Sequence, residues 1–120
     1  MENEKPDLME LIPVRLFDWE TDKETNNVIV IRPKFTSKLG KKLLLPLFGR
    51  KYFRIKLDAL GSKVWQMADG EHTVGDILKA LQDEFTEEPD LAKRLTIFVH
   101  QLVREKFIQL LQRVKEDEQS

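Results

Sequence analysis

From Val14 to Glu20 the chain alternates with a period of two, Val14 and Leu16 on one side, Arg15, Phe17 and Trp19 on the other. That period predicts a strand, and the polar cluster Thr21 to Asn27 predicts the turn after it. Val28, Ile29, Val30 and Ile31 are four β-branched residues in a row, the strongest strand signal in the chain. Pro33 ends their capacity to donate to a ladder, so the two runs together predict a β-hairpin. Between Lys34 and Lys51, Gly40, Pro46 and Gly49 stop any long regular element and predict a loop. From Tyr52 to Leu57 the alternation returns: Phe53, Ile55 and Leu57 point one way, and Tyr52, Arg54 and Lys56 point to water.

After Leu57 the period changes from two to 3.6. Asp58 is the expected N-cap of a helix whose inner side carries Leu60, Val64, Trp65 and Ala68, and Asp69-Gly70 closes it. Thr73 with Asp76 three residues later predicts a capping box for a second helix built on Val74, Ile77, Leu78, Leu81 and Phe85. Asp90 is the expected cap of a third helix, striped by Leu91, Leu95, Phe98, Val99, Leu102 and Val103. Phe107, Leu110, Leu111 and Val114 either continue that helix or leave it as a short strand over Phe107 to Leu111. Three strands followed by three helices predict an α+β domain, winged-helix-like, a three-stranded antiparallel sheet followed by a three-helix bundle that covers one of its faces. The expected limits are a flexible arm over residues 1–13, one domain over 14–114 with the 34–51 insert loop inside it, and a frayed tail over 115–120.

Composition changes this picture by exclusion. At 120 residues, 41% hydrophobic and 34% charged, the chain has material for one core and lies outside the disordered class. It has no cysteine, which removes disulfides, thiolate metal sites and thiol nucleophiles. No apolar run is long enough to span a bilayer and the first residues are acidic, so a cytoplasmic location is expected. His72 and His100 read as surface histidines without a third ligand at metal spacing, Ser37 and Ser62 lack a nucleophile frame, and the five glycines fit no phosphate loop. The acidic run from Asp69 to Asp90 reads as caps and a solvated helix face. No enzyme and no cofactor is expected.

Charge distribution points to binding instead. The net charge of -1 hides three zones. Residues 1–31 carry three basic and eight acidic side chains, residues 32–56 nine basic and none acidic, and residues 57–120 eight basic and thirteen acidic. The basic zone would steer an acidic partner. Tyr52 to Leu57 arrives from a long loop and leaves into a helix, the placement of an edge strand able to take on an extended peptide. Arg54 and Lys56, with Arg50 and Lys51 before them, would add attraction for its carboxylates. An alternative is a winged-helix nucleic-acid-binding protein using the basic segment 32–56. Nucleic acid is disfavoured because the second helix exposes Asp76, Gln82, Asp83 and Glu84 with only Lys79, although the third offers Lys93, Arg94, Gln101 and Arg104. The 41–51 loop, cations flanking leucines, also suits a membrane surface.

Leu57-Asp58-Ala59-Leu60-Gly61, Val64-Trp65, Asp69-Gly70, Thr73-Val74 and Ile77, followed by an apolar helix to Leu102 and Val103, resemble the pyrroloquinoline quinone biosynthesis protein D (PqqD-like) family over about residues 52–108. The resemblance implies a non-catalytic module of PQQ biosynthesis, or of a related pathway. Such a module binds the leader of a ribosomally made precursor peptide by strand addition and acts as its chaperone, presenting it to a radical S-adenosylmethionine (SAM) enzyme. It implies a binding edge of Tyr52, Phe53, Arg54, Ile55 and Lys56, and a groove wall from Arg94, Phe98 and Gln101. The sequence departs from the family pattern in the 34–51 insert and at Lys106, where a glycine often precedes the final apolar pair.

Overall fold

The computed structural model describes residues 7–33 and 52–114. The 34–51 loop, the first six residues and the 115–120 tail lie outside them. The chain folds into two compact units, one formed by Met1–Leu16 with Leu60–Ser120, the other by Phe17–Ala59.

The Phe17–Ala59 unit is an antiparallel sheet of three strands, β2 (Asp18–Thr21), β3 (Val28–Pro33) and β4 (Tyr52–Lys56), in that spatial order. The other unit pairs β1 (Ile12–Arg15) with β5 (Ile108–Leu111) and holds α1 (Ala59–Met67, whose first residue belongs to the sheet unit), α2 (Val74–Glu84) and α3 (Leu91–Arg104). The fold is mixed α+β, with the expected three-stranded sheet and three helices. Two expectations are corrected. The run Val14 to Glu20 is two strands in two sheets, and the order is not strands then helices, because β5 follows α3.

Local physics explains the division. Arg15 N–H donates to the Ala68 carbonyl and Leu16 N–H to that of Phe107, both within the helical unit. The next residue, Phe17, lies under the guanidinium of Arg32 at 5.6 Å from its ring centroid and so starts the hairpin. An unbroken alternation specifies two faces, not which neighbour supplies the ladder.

The segment before β1 is fixed by the same unit. Leu8–Glu10 form a short 3₁₀ turn capped by Asp7, whose Oδ1 accepts Met9 N–H at 3.1 Å. The carbonyl of Leu11 accepts Val74 N–H at 2.9 Å, satisfying one of the donors that the start of α2 cannot pair internally. Residues 8–13 of the expected flexible arm are therefore a turn and half a strand.

The start of α2 follows the sequence, and both ends of α3 depart from it. Thr73 Oγ1 accepts Asp76 N–H, and Asp76 Oδ2 accepts Thr73 N–H, both at 3.0 Å, so the capping box is complete. Asp90 stands at the N-cap of α3 as expected, but at φ 57° its side chain makes no cap hydrogen bond. The end of α3 is a Schellman motif. Phe107 N–H reaches the Leu102 carbonyl at 2.8 Å and Lys106 N–H that of Val103 at 3.0 Å, with Lys106 left-handed at φ 65°. That geometry releases Phe107–Leu111 from the helix and answers the alternative left open by the spacing in favour of a strand. Because a β-carbon is penalised there, Lys106→Gly is expected to stabilise the protein by about 1 kcal/mol. A thermal midpoint raised by about 4 °C in calorimetry would record it.

The core of the helical unit is Val64, Trp65, Ala68, Val74, Ile77, Leu81, Leu95 and Val99, each at most 1% exposed. Gly70, at φ +83°, makes the turn after α1, and its N–H donates to the Pro13 carbonyl at 2.9 Å. A β-carbon there would be strained by that φ alone.

Candidate functional site

The register of the three-stranded sheet assigns every side chain to a face. Asp18 and Glu20 of β2, Ile29 and Ile31 of β3, and Tyr52, Arg54 and Lys56 of β4 share one face. Trp19, Thr21, Val28, Val30, Arg32, Phe53 and Ile55 share the other, continued by Leu57, so β4 alternates as expected, but the expectation of a single wet face is corrected, since Phe53 is 48% exposed against 42% for Tyr52. β4 is an edge strand, and among the described residues no strand pairs with its outer side.

Backbone parity tells which groups that edge presents. Leu57 N–H donates to the Val28 carbonyl at 2.9 Å, so Leu57, Ile55 and Phe53 turn their backbone polar groups toward β3. Tyr52, Arg54 and Lys56 then turn theirs outward. At the other end of the hairpin, Asp22 N–H bonds the Asn27 carbonyl at 2.7 Å, which directs Ile29 and Ile31 to β2, as that parity requires. Four of the five β4 residues are exposed, and Ile55 is half-buried.

On the outer face the Arg54 guanidinium pairs with the carboxylate of Glu20, reaching across β3 over Ile29, which is only 4% exposed. Glu20, Ile29, Arg54 and Lys56 line an open depression of about 640 Å³ with the hairpin turn. In that turn Asp22 Oδ1 accepts Glu24 N–H at 2.8 Å. That bond, with lesser help from Thr25 and Lys56, lowers the Asp22 carboxyl below the usual range. Glu20 was not singled out in the sequence. The available signal was the period of two that puts Asp18 and Glu20 on one side of Trp19.

The remaining expected site residues belong to the helical unit. Arg94, Phe98 and Gln101 lie one turn apart on one face of α3. Arg94 is exposed and paired with Glu88 at 2.8 Å, Gln101 is exposed and Phe98 is half-buried. The structure thus brings the five β4 residues together on one strand and the three α3 residues together on one helix, in different units.

The helical unit also holds the histidines. Asp69 Oδ1 accepts the N–H groups of Glu71 at 2.9 Å and His72 at 3.2 Å, and its Oδ2 lies 2.9 Å from His72 Nδ1. Partial burial pushes the Asp69 carboxyl upward, but these bonds outweigh it and hold the group below the ordinary aspartate range. The arrangement locks the turn between α1 and α2. His100 is exposed on α3. Among the described residues no three His, Asp or Glu side chains converge as a metal site would require, and no helix is long and apolar enough to cross a membrane. The exposed side of α2 carries Asp76, Gln82, Asp83 and Glu84, as expected. Most of the basic 32–56 segment, and the 41–51 loop, lie outside the described residues.

Neither the curated proteins nor the solved structures include a match to this chain. A protein family does match, the one described as coenzyme PQQ synthesis protein D (PqqD), over residues 42–108. The matched span takes in β4, all three helices and the first residue of β5, and extends ten residues into the basic insert. It leaves out β2 and β3, so the partner strands of the candidate edge lie upstream of the matched region. With more than half of its length so matched, and with the edge strand and helices it encodes in place, the chain belongs to the PqqD family.

Proposed function

We propose that this protein is a non-catalytic peptide-binding module that takes the leader segment of a precursor peptide as an added strand on β4 and presents it to a radical SAM enzyme. The observation that carries the reading is the parity of β4: Arg54 and Lys56 turn their backbone polar groups to the open edge, and their cationic side chains stand on one face beside it. An extended chain laid along that edge gains main-chain hydrogen bonds for affinity and ion pairs for selection. Family membership supports the pathway, since coenzyme PQQ synthesis is what the matching family is described by. The α3 row of Arg94, Phe98 and Gln101 is the second surface assigned to the peptide, and Phe98→Ala is its probe.

Proline substitution tests the edge directly. Arg54→Pro deletes an outward N–H, a change an edge strand tolerates, and is expected to abolish saturable binding of an acidic extended peptide in calorimetric titration. Arg54→Ala removes only the side chain and is expected to weaken binding without abolishing it. Ile55→Pro deletes an N–H given to β3 and is expected to disrupt the sheet itself, seen as lost strand signal in circular dichroism. Full binding by a folded Arg54→Pro variant would refute strand addition.

A further inference from the structure

The outer face of the sheet is zoned by charge in strand order. Acids stand on β2 (Asp18, Glu20), aliphatic residues on β3 (Ile29, Ile31) and bases on β4 (Arg54, Lys56). Strands are spaced by about 4.8 Å, so β2 and β4 lie roughly 10 Å apart. Glu20 nevertheless reaches Arg54 across β3. The guanidinium already holds a carboxylate, supplied from two strands away. A strand added to the outer side of β4 would be one spacing away, on the side where no acid of the sheet stands.

Side chains directly opposite each other on neighbouring strands share a face. Residues of an added strand therefore alternate between two environments. Every second one faces the Arg54 and Lys56 side, and those between face the side of Phe53, Ile55 and Leu57. We propose that the segment bound by β4 carries carboxylates at alternate positions with apolar residues between them, and that Glu20 is the internal competitor such a segment displaces from Arg54. The inference rests on the strand-addition reading and adds to it the ligand's pattern and a residue that tunes its affinity. Glu20 keeps Arg54 from an isolated carboxylate, which cannot offset the lost pair, while a patterned strand gains the ladder and two ion pairs together.

The test uses capped synthetic peptides and calorimetric titration of the full chain. A peptide alternating Glu and Val is expected to bind about tenfold more tightly than one of the same composition with its Glu and Val in separate blocks. Glu20→Gln is expected to tighten binding of the alternating Glu and Val peptide several-fold and to leave an alternating Gln and Val peptide unchanged. Arg54→Glu combined with Lys56→Glu is expected to reverse the preference toward an alternating Lys and Val peptide. Should that double variant not fold, the near-isosteric Glu20→Gln result decides alone. Equal binding of patterned and blocked peptides, or no response to Glu20→Gln, overturns the inference and leaves strand addition standing. Failure of every extended peptide to bind the unmodified protein overturns the reading beneath it as well.

Discussion

Trp65→Ala is expected to cost about 3 to 5 kcal/mol, the range for removing a large aromatic side chain from a packed core. Trp65 is 0% exposed on α1 and meets the ring of Phe107 edge-on, with centroids 6.4 Å apart and planes at 79°. It joins the first helix to the residue that leaves the Schellman turn for β5, so its loss opens a cavity where helix and strand meet. Among the described residues the buried indole Nε1–H has no hydrogen-bond partner, which gives the position an internal control. Trp65→Phe keeps an aromatic ring and removes the orphaned donor, and is expected to cost far less than the alanine change. Urea unfolding of both variants measures the contrast. Equal losses would mean that the site needs the full indole volume and that a smaller aromatic ring does not fill it.

Arg15→Met is expected to destabilise by about 2 kcal/mol. The Arg15 guanidinium donates to the Trp65 and Gln66 carbonyls, both at 2.9 Å, at the C-terminal end of α1. Besides the guanidinium, the Trp65 carbonyl accepts the 3.1 Å bond from Ala68 N–H just past the last turn, and both carbonyls sit at the negative end of the helix dipole, where a fixed cation is most favourable. Methionine keeps most of the aliphatic stem and deletes the charge, so a fall in the urea midpoint with unchanged slope isolates the cap. Arg15→Lys is expected to recover only part of the loss, since an ammonium is more strongly hydrated than a guanidinium and is costlier to strip of water at the helix end. Arg15 binds the backbone carbonyl of Trp65 itself, so the two changes act at one point of α1 and will not be additive.

Both residues show how far local pattern reaches. Trp65 was identifiable as an inner-face residue because helical spacing from Val64 to Ala68 marks it. Arg15 was read only as a position in an alternating strand, because its partners are fifty residues away. The candidate edge divides the same way. Alternation assigned Tyr52, Arg54 and Lys56 to the wet face, whereas the backbone direction at those residues depends on which of two parities β4 adopts against β3. Sequence spacing does not encode that choice, and one hydrogen bond, Leu57 to Val28, fixes it.

Features whose cause lies within a few residues are legible along the chain: the β-branched run of β3, the alternation of β4, the Thr73 and Asp76 capping box, the Asp69-Gly70 stop and the core stripes of the helices. Each is a local steric or hydrogen-bonding preference that the chain carries wherever it goes. Tertiary contacts alone place Val14 to Glu20 in two sheets, bring β5 back to pair with β1 and let Glu20 reach Arg54. Those depend on strands and ladders formed by distant segments, and a ladder donor is blind to which part of the chain supplies its acceptor.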